Sequence, residues 1–419
     1  MAAETVNLRR TVIGGAVGNV LEWYDFAAYA YMAPVIGPLF FPAADPLASL
    51  IATYGAFAAG YLSRPVGAVI FGHIGDRFGR KPMLLISVLL MGLATTAIGF
   101  LPTNANIGWV AGALLVLLRV LQGVSVGGEY AGSLAFIAEH APPRRRAFLT
   151  SLIVSGSNAG FLVGAGLAAS LSEIASQEAL HAWAWRLPFL VGGLLAVAIL
   201  LLRRQLPEPP RSEAPPEELP VKVVLRDHWR DVLRVGGLYL AVNSGFYMIF
   251  VYTISYLTDK MKIAQTAVMD INVLCIFILT LLPNFCALVS DRSGRKPVLV
   301  TGTLGLIRLS YPLFRLMSHP DLELVLAGQI GFAMLFSWIY GANPVTQAEV
   351  APAKVRASVL SISTNLCMAI FGGTTPLVAT YLVQRSGDDF SPAFYMMGLA
   401  ALTLIAVLSA PETRGKRFH

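Results

Sequence analysis

Apolar residues run for 18 positions or more and recur along the whole chain. With few interruptions, twelve such runs can be marked, at 11–36, 47–74, 83–101, 107–138, 147–171, 184–202, 235–258, 268–290, 297–317, 322–347, 357–383 and 392–410. About 20 helical residues at 1.5 Å each cover the hydrocarbon of a bilayer, so each run predicts a membrane crossing. The longer ones imply tilt or extension beyond it. The pattern therefore predicts an all-α polytopic membrane protein with 12 transmembrane helices. The first run follows Arg9 and Arg10, is long, carries acids and lacks a small-residue cleavage site, so it predicts a retained helix and not a signal peptide. Composition agrees: of 419 residues 56% are hydrophobic and 13% charged, with a mean hydropathy of +0.65.

The polar segments between runs add topology. If both termini lie on one face, the segments on that face hold 23 of the 31 Lys and Arg residues, including Arg77, Arg80, Arg144, Arg145, Arg146, Arg292 and Arg295. The positive-inside rule places that face, and both termini, in the cytoplasm. It also explains the net charge of +7 without a nucleic-acid partner. The three cysteines, Cys275, Cys286 and Cys367, fall inside runs and read as packing residues, not as a disulfide framework.

One segment, "RRQLPEPPRSEAPPEELPVKVVLRDHWRDVLR", is rich in proline and charge and divides six runs from six. The predicted organisation is an N-terminal six-helix bundle (1–203), a cytoplasmic linker (204–234) and a C-terminal six-helix bundle (235–419). The halves echo each other. "GHIGDRFGRKPML" at 72–84 matches "ALVSDRSGRKPVL" at 287–299, and "AEHAPPRRRAFLTS" at 138–151 matches "AEVAPAKVRASVLS" at 348–361, at offsets of 215 and 210. Two matches at nearly one offset predict a duplicated six-helix unit. Parallel repeats in a membrane place a site between the halves near the midplane, exposed to each side in turn. The repeated loops predict a conformational latch of Asp76, Arg77, Arg80, Glu139 and Arg146 in the first half and Asp291, Arg292, Arg295, Glu349 and Arg356 in the second. Their aspartates can cap helix ends and their arginines can bridge to the two glutamates.

"GHIGDRFGRKPML" resembles the signature of the major facilitator superfamily. "LLRVLQGVSVGGEYAGSLAFIAEHAPPRRRAF", "GNVLEWYDF", "SRPVGAVIFG", "WAWRLPF" and "IFGGTTPLVATYLV" are similar to its metabolite:proton symporter branch, whose members carry citrate, 2-oxoglutarate, shikimate, or proline and betaine. The second loop departs from the signature at Ala287 and Ser290. The resemblance spans the first run to the last. It implies the major facilitator fold, two six-helix halves related by pseudo-two-fold symmetry. It also implies proton-coupled secondary transport across a bacterial inner membrane, with no cofactor.

Charges inside the runs mark the candidate site. Glu22 and Arg64 each lie about 16 Å from the same face, counted at 1.5 Å per residue, and Arg119 lies near mid-membrane in the fourth run. A lone charge at a helix centre costs about 2.5–3.5 kcal/mol on insertion scales, so Glu22, Asp25, Arg64 and Arg119 must pair or face a wet cavity. Glu22 and Asp25 share a helix face with Tyr29 and are the candidate proton carriers, with Arg119 as their partner. Arg64, Arg119 and Gln122 are candidate substrate ligands because a guanidinium holds a carboxylate bidentately. The resemblance makes the seventh and tenth runs cavity-lining, which adds Asn243, Tyr247, Trp338, Tyr340 and Asn343; Asn158 and, more weakly, Ser155 and Asn365 follow. Arg186 suits either an interfacial anchor or substrate attraction, and Arg315 is expected on the outer surface.

Scattered histidines, no phosphate-binding loop and no nucleophile elbow give no enzyme and no metal site. Twin loops and duplication set a carrier apart from a channel. The partners expected are a small-molecule substrate, protons and the bilayer, with the chain a monomer. Two substrate classes stay open. If the arginines are free, the substrate is an organic acid, a di- or tricarboxylate such as citrate or 2-oxoglutarate. If the acids consume them, Trp23, Tyr24, Phe26, Tyr29 and Trp338 can cradle a quaternary ammonium, and the substrate is a zwitterion such as proline or betaine. The chain stops at His419 without the long charged tail of some osmolyte carriers, and the expectation tilts to the organic acid.

Overall fold

A computed structural model describes residues 8–78, 80–204 and 220–415. The side chains of 8–18, 72, 73, 75–78, 80, 81, 129, 203, 204, 220 and 221 lie outside the description. Long helices account for the twelve crossings, and each interruption has a covalent cause. The first crossing is α1 (Leu8–Phe40). The second is split into α2 (Pro46–Leu62) and α3 (Arg64–Phe78). Pro65 supplies no N–H to the preceding turn, so the helix breaks at Ser63, whose hydroxyl bonds the Gly60 carbonyl at 2.9 Å and the Val120 carbonyl at 3.0 Å. The third is α4 (Arg80–Phe100). The fourth is α5 (Val110–Ser125) and α6 (Glu129–His140), separated at Gly127 and Gly128.

The fifth and sixth crossings are α7 (Arg146–Ile174) and α8 (Leu187–Arg204). The seventh begins with α9 (Trp229–Tyr247) and continues through wide π-type turns to Lys260. It starts six residues earlier than its apolar run, because the charged turn of Arg230, Asp231 and Arg234 is helical outside the hydrocarbon. A short helix, Pro220–Asp227, precedes it. The eighth and ninth are α10 (Gln265–Ser293) and α11 (Arg295–Met317). The tenth is α12 (Leu322–Tyr340) and α13 (Asn343–Val350), broken before Pro344. The eleventh is α14 (Arg356–Cys367) and α15 (Thr375–Ser386), joined by a wide turn ending at Gly372, and the twelfth is α16 (Ser391–Ser409). Among the described residues, ten helical runs are apolar and long enough to span; α1 and the α2–α3 pair, which carry the buried Glu22, Asp25 and Arg64, complete the twelve.

The crossings form two six-helix halves. Helix α7 packs on α1 within the first half and on α10 across the boundary, where Asn158 Nδ2 donates to the Leu279 carbonyl at 2.9 Å. Within the first half, α2 and α5 touch backbone to backbone. A Cβ on Gly123 would fall 1.7 Å from the Gly60 carbonyl oxygen, so only glycine permits that approach. The seam sets Arg64 and Arg119 at one level against α1.

Candidate functional site

The four mid-membrane charges pair as two acid–arginine couples. Asp25 and Arg119 are fully buried (0% exposed each), with Nη1 of Arg119 2.9 Å from Oδ2 of Asp25. The other carboxylate oxygen of Asp25 accepts from Thr95 Oγ1 and from Gln122 Nε2, each at 2.7 Å. Gln122 Oε1 in turn accepts from Arg119 at 2.7 Å, so Gln122 orients both partners. The rest of the Arg119 guanidinium lies over the rings of Phe26 and Tyr29, at 4.7 and 4.5 Å from their centroids. Rings can take N–H groups that find no oxygen. The second couple is Glu22 with Arg64, 2.6 Å apart and 3% and 1% exposed. Arg64 Nε also donates to Asn365 Oδ1 of the other half at 3.2 Å.

Next to these couples is a small cavity of about 20 Å³, lined by Trp23, Tyr130, Val154, Ser157, Asn158, Tyr239, Asn243, Phe246, Tyr247 and Tyr340. It has room for roughly one water. Trp23 stacks on Tyr247 (6.5 Å, 18°) and Tyr130 on Tyr239 (6.3 Å, 22°), which brings rings from both halves around it. Among the described residues, no charged side chain lines it. Two buried polar atoms at its wall, Trp23 Nε1 and Asn243 Oδ1, make no hydrogen bond among the described residues. On the side away from the termini the halves meet in two contacts, the Tyr61 and Tyr247 hydroxyls at 2.6 Å and the Tyr54 and Ser255 hydroxyls at 2.9 Å. A more open concavity of about 520 Å³, walled by Phe40, Phe41, Trp109 and Val116, has none of the four charged residues in its lining. Its lining is mostly apolar and comes from the first half alone, so size does not make it the site.

Of the cavity residues expected from sequence, Asn158, Asn243, Tyr247 and Tyr340 are there. The others are elsewhere. Arg64, Arg119 and Gln122 are engaged in the couples. Tyr29 lies under Arg119 and donates to the Thr53 carbonyl at 3.0 Å. Asn343 donates to the Leu238 carbonyl and accepts from Gln347. Trp338 is two residues from Tyr340, about 200° around the helix, and bonds Thr301 Oγ1 at 3.0 Å on the side of α11. Tyr130, Tyr239, Ser157 and Phe246 were not singled out. Tyr239 carried a signal, since it precedes Asn243 by four residues and Tyr247 by eight on one helix face. Arg186 caps the end of α4 through the Gly99 and Leu101 carbonyls, at 3.2 and 2.6 Å, and Arg308 and Arg315 are exposed.

The termini-bearing face is closed by a second charge cluster. Arg146 of the first half is 3.0 Å from Glu349 of the second, which also takes Arg295 Nε at 3.2 Å. Arg356 reaches back to Glu139 at 2.6 Å. Asp291 pairs with Arg295 at 3.0 Å and accepts the backbone N–H groups of Ala147 and Phe148, at 3.0 and 3.1 Å, which caps α7 from the opposite half. Arg292 is exposed and outside this cluster. The side chains of Asp76, Arg77 and Arg80 lie outside the described residues.

A family model described as Major Facilitator Superfamily matches residues 16–283, and one described as Sugar (and other) transporter matches 218–419. The chain belongs to the major facilitator superfamily. It is 35% identical over 424 residues to the proline/betaine transporter of Salmonella typhimurium, covering 98% of this chain and 84% of the relative. The glycine betaine/proline/ectoine/pipecolic acid transporter OusA of Dickeya dadantii is equally similar, with the same coverage. The ectoine/proline transporter ProP of Corynebacterium glutamicum is 33% identical over 428 residues, covering 98% and 85%. Among solved structures, a D-xylose-proton symporter superposes with a TM-score of 0.77 at 19% identity, covering 97% of this chain and 98% of that one. That likeness is one of fold. Relatives and fold are those of membrane transporters, not enzymes.

These relatives overturn the organic-acid expectation. The geometry gives the reason, because both arginines that were to receive carboxylates are neutralised by Asp25 and Glu22.

Proposed function

We propose that the chain is a proton-coupled carrier of a small zwitterionic osmolyte, of the proline and glycine betaine class. The observation that carries this reading is an aromatic cavity with no charged side chain in its described lining, closed here to about one water and widening to admit substrate when the halves rock, beside two self-neutralised acid–arginine couples. A quaternary or secondary ammonium binds to ring faces at about 0.5–2 kcal/mol per contact. Trp23/Tyr247 and Tyr130/Tyr239 offer such faces. The Trp23 indole N–H is a donor for the carboxylate, and the Asn243 carbonyl is an acceptor for the N–H of proline. Net substrate charge is zero, so no cationic residue is needed as a permanent ligand.

Asp25 is the proton carrier in this reading. Protonation removes the counter-ion of Arg119 and loosens the four-membered cluster that ties α1 to α4 and α5. The bodies that rock are 1–203 and 235–419, joined by 204–234. The Glu139, Arg146, Asp291, Arg295, Glu349 and Arg356 cluster is the latch that holds the termini-bearing face shut. With basic segments on that face, the orientation follows as both termini in the cytoplasm of a bacterial inner membrane, and the site is built within one chain, as suits a monomer. The test is uptake of labelled glycine betaine, proline and citrate into proteoliposomes under an inward proton gradient. Accumulation of either zwitterion, abolished by a protonophore, supports the reading; accumulation of citrate alone defeats it.

A further inference from the structure

Arg64 reaches both halves, through an ion pair on one side and a hydrogen bond on the other. It pairs with Glu22 of α1 and donates to Asn365 of α14. Asn365, itself buried, donates through Nδ2 to the Gly127 carbonyl at 2.6 Å. Gly127 lies in the break between α5 and α6, and Arg64 follows the break between α2 and α3. One second-half amide thus engages both interrupted first-half crossings, accepting from one and donating to the other. Ser361, one turn earlier, also donates to the Gly127 carbonyl, at 3.3 Å.

The level of this node is informative. Asn365 lies nine residues along the eleventh crossing from latch residue Arg356, about 14 Å deeper. Tyr61, whose hydroxyl bonds cavity residue Tyr247, precedes Arg64 by one turn, and its ring lies 5.5 Å from the Arg64 guanidinium carbon. The node is therefore deeper than the latch and level with the cavity residues Tyr130, Val154 and Tyr340, which lie 9, 8 and 9 residues from Glu139, Arg146 and Glu349. We infer that Asn365 is a positioning residue, an inner seal through which Arg64 relays the charge on Glu22 to the second half. The inference rests on the alternating-access reading above. With Glu22 charged, Arg64 is held where Asn365 can accept from it; when that charge is lost, the ion pair that holds Arg64 goes and the Asn365 oxygen loses the Arg64 donor while its NH₂ stays on Gly127. Tyr61 and Tyr130 also lie within electrostatic reach of Glu22.

Cys367, two residues beyond Asn365 and buried, is a native probe of the seal. In protein with Cys275 and Cys286 replaced by alanine, its reaction with a membrane-impermeant maleimide from the termini-bearing side needs no substrate. Asn365→Leu keeps the bulk and removes the hydrogen bonds to Arg64 and Gly127, along with those to Ser361 on its own helix; it is expected to raise the rate at least about tenfold, the size of effect of losing a hydrogen bond to a charged group. Glu22→Gln is expected to change the rate in the parent and to have no further effect in the Asn365→Leu background. An unchanged rate in Asn365→Leu, or the same Glu22→Gln effect in both backgrounds, overturns the assignment. Should Asn365→Leu fail to fold, Asn365→Ser is read the same way. If the Cys367 pattern holds while the parent fails to take up glycine betaine, the seal stands and the substrate reading falls.

Discussion

Asp25→Asn is the substitution that separates proton coupling from transport. Asp25 accepts three hydrogen bonds, from Thr95, Gln122 and Arg119. An amide supplies one acceptor oxygen and replaces the other with a donor. If that oxygen stays on Arg119, the new NH₂ faces Thr95 and Gln122. The Thr95 hydroxyl can adapt, because it already donates to the Met91 carbonyl at 2.9 Å. Gln122 cannot turn over without losing its own bond from Arg119. At least one hydrogen bond in a buried charged cluster is lost, about 1.5–3 kcal/mol. The unpaired Arg119 cation raises the upper bound to about 3–5 kcal/mol. The variant is thus expected to be less stable in detergent but folded. It resembles the protonated carrier permanently, so exchange of internal for external labelled proline should persist. Accumulation driven by a proton gradient should fall to the level seen with protonophore. Full gradient-driven accumulation by Asp25→Asn in the same vesicles would refute Asp25 as the proton site.

Other outcomes follow from the same geometry. Arg119→Lys keeps a cation for Asp25 but loses the planar stack on Phe26 and Tyr29; thermal unfolding should show about 1–3 kcal/mol of destabilisation, with lowered uptake. Trp23→Ala should raise the KM for glycine betaine about tenfold or more with the latch cluster untouched, which a competition series reads directly. Gly123→Ala forces α2 and α5 apart and should lower folded yield more than Gly132→Ala, where a Cβ meets nothing within 4 Å. At the membrane edge, burial pushes the Glu412 carboxyl up, but backbone N–H groups of Arg295, Arg414, Lys296 and Thr413 outweigh it and hold the group below its ordinary value of 4.5. A depressed folded value stabilises above the unfolded one and is lost as pH falls through it. Tm should therefore drop more steeply between about pH 5 and 3 in the parent than in Glu412→Gln.

What could be read from the chain differs by physical cause. The two couples were legible because hydrocarbon forbids lone charges, so four charges at similar depth had to meet. The pairing of Glu139 and Glu349 with Arg146, Arg295 and Arg356 was legible through duplication. Which residues received the arginines was not, since a substrate carboxylate and a side-chain carboxylate make the same demand on a guanidinium. That ambiguity produced the organic-acid expectation. Trp338 was misplaced because a polar or aromatic residue near Tyr340 looks cavity-facing until the helix rotation is counted. Tyr61 and Tyr130 carried no signal of their own, as single aromatics are common in membrane helices. Asn365 gained its place only from the breaks at Ser63 and Gly127, which bring two distant carbonyl and guanidinium groups to one amide.

The most direct test of the central claim is proton movement itself, read with a pH-sensitive dye sealed inside proteoliposomes. Adding external glycine betaine or proline should acidify the lumen without any imposed gradient, and citrate should not. Acidification with citrate and none with either zwitterion would contradict the account.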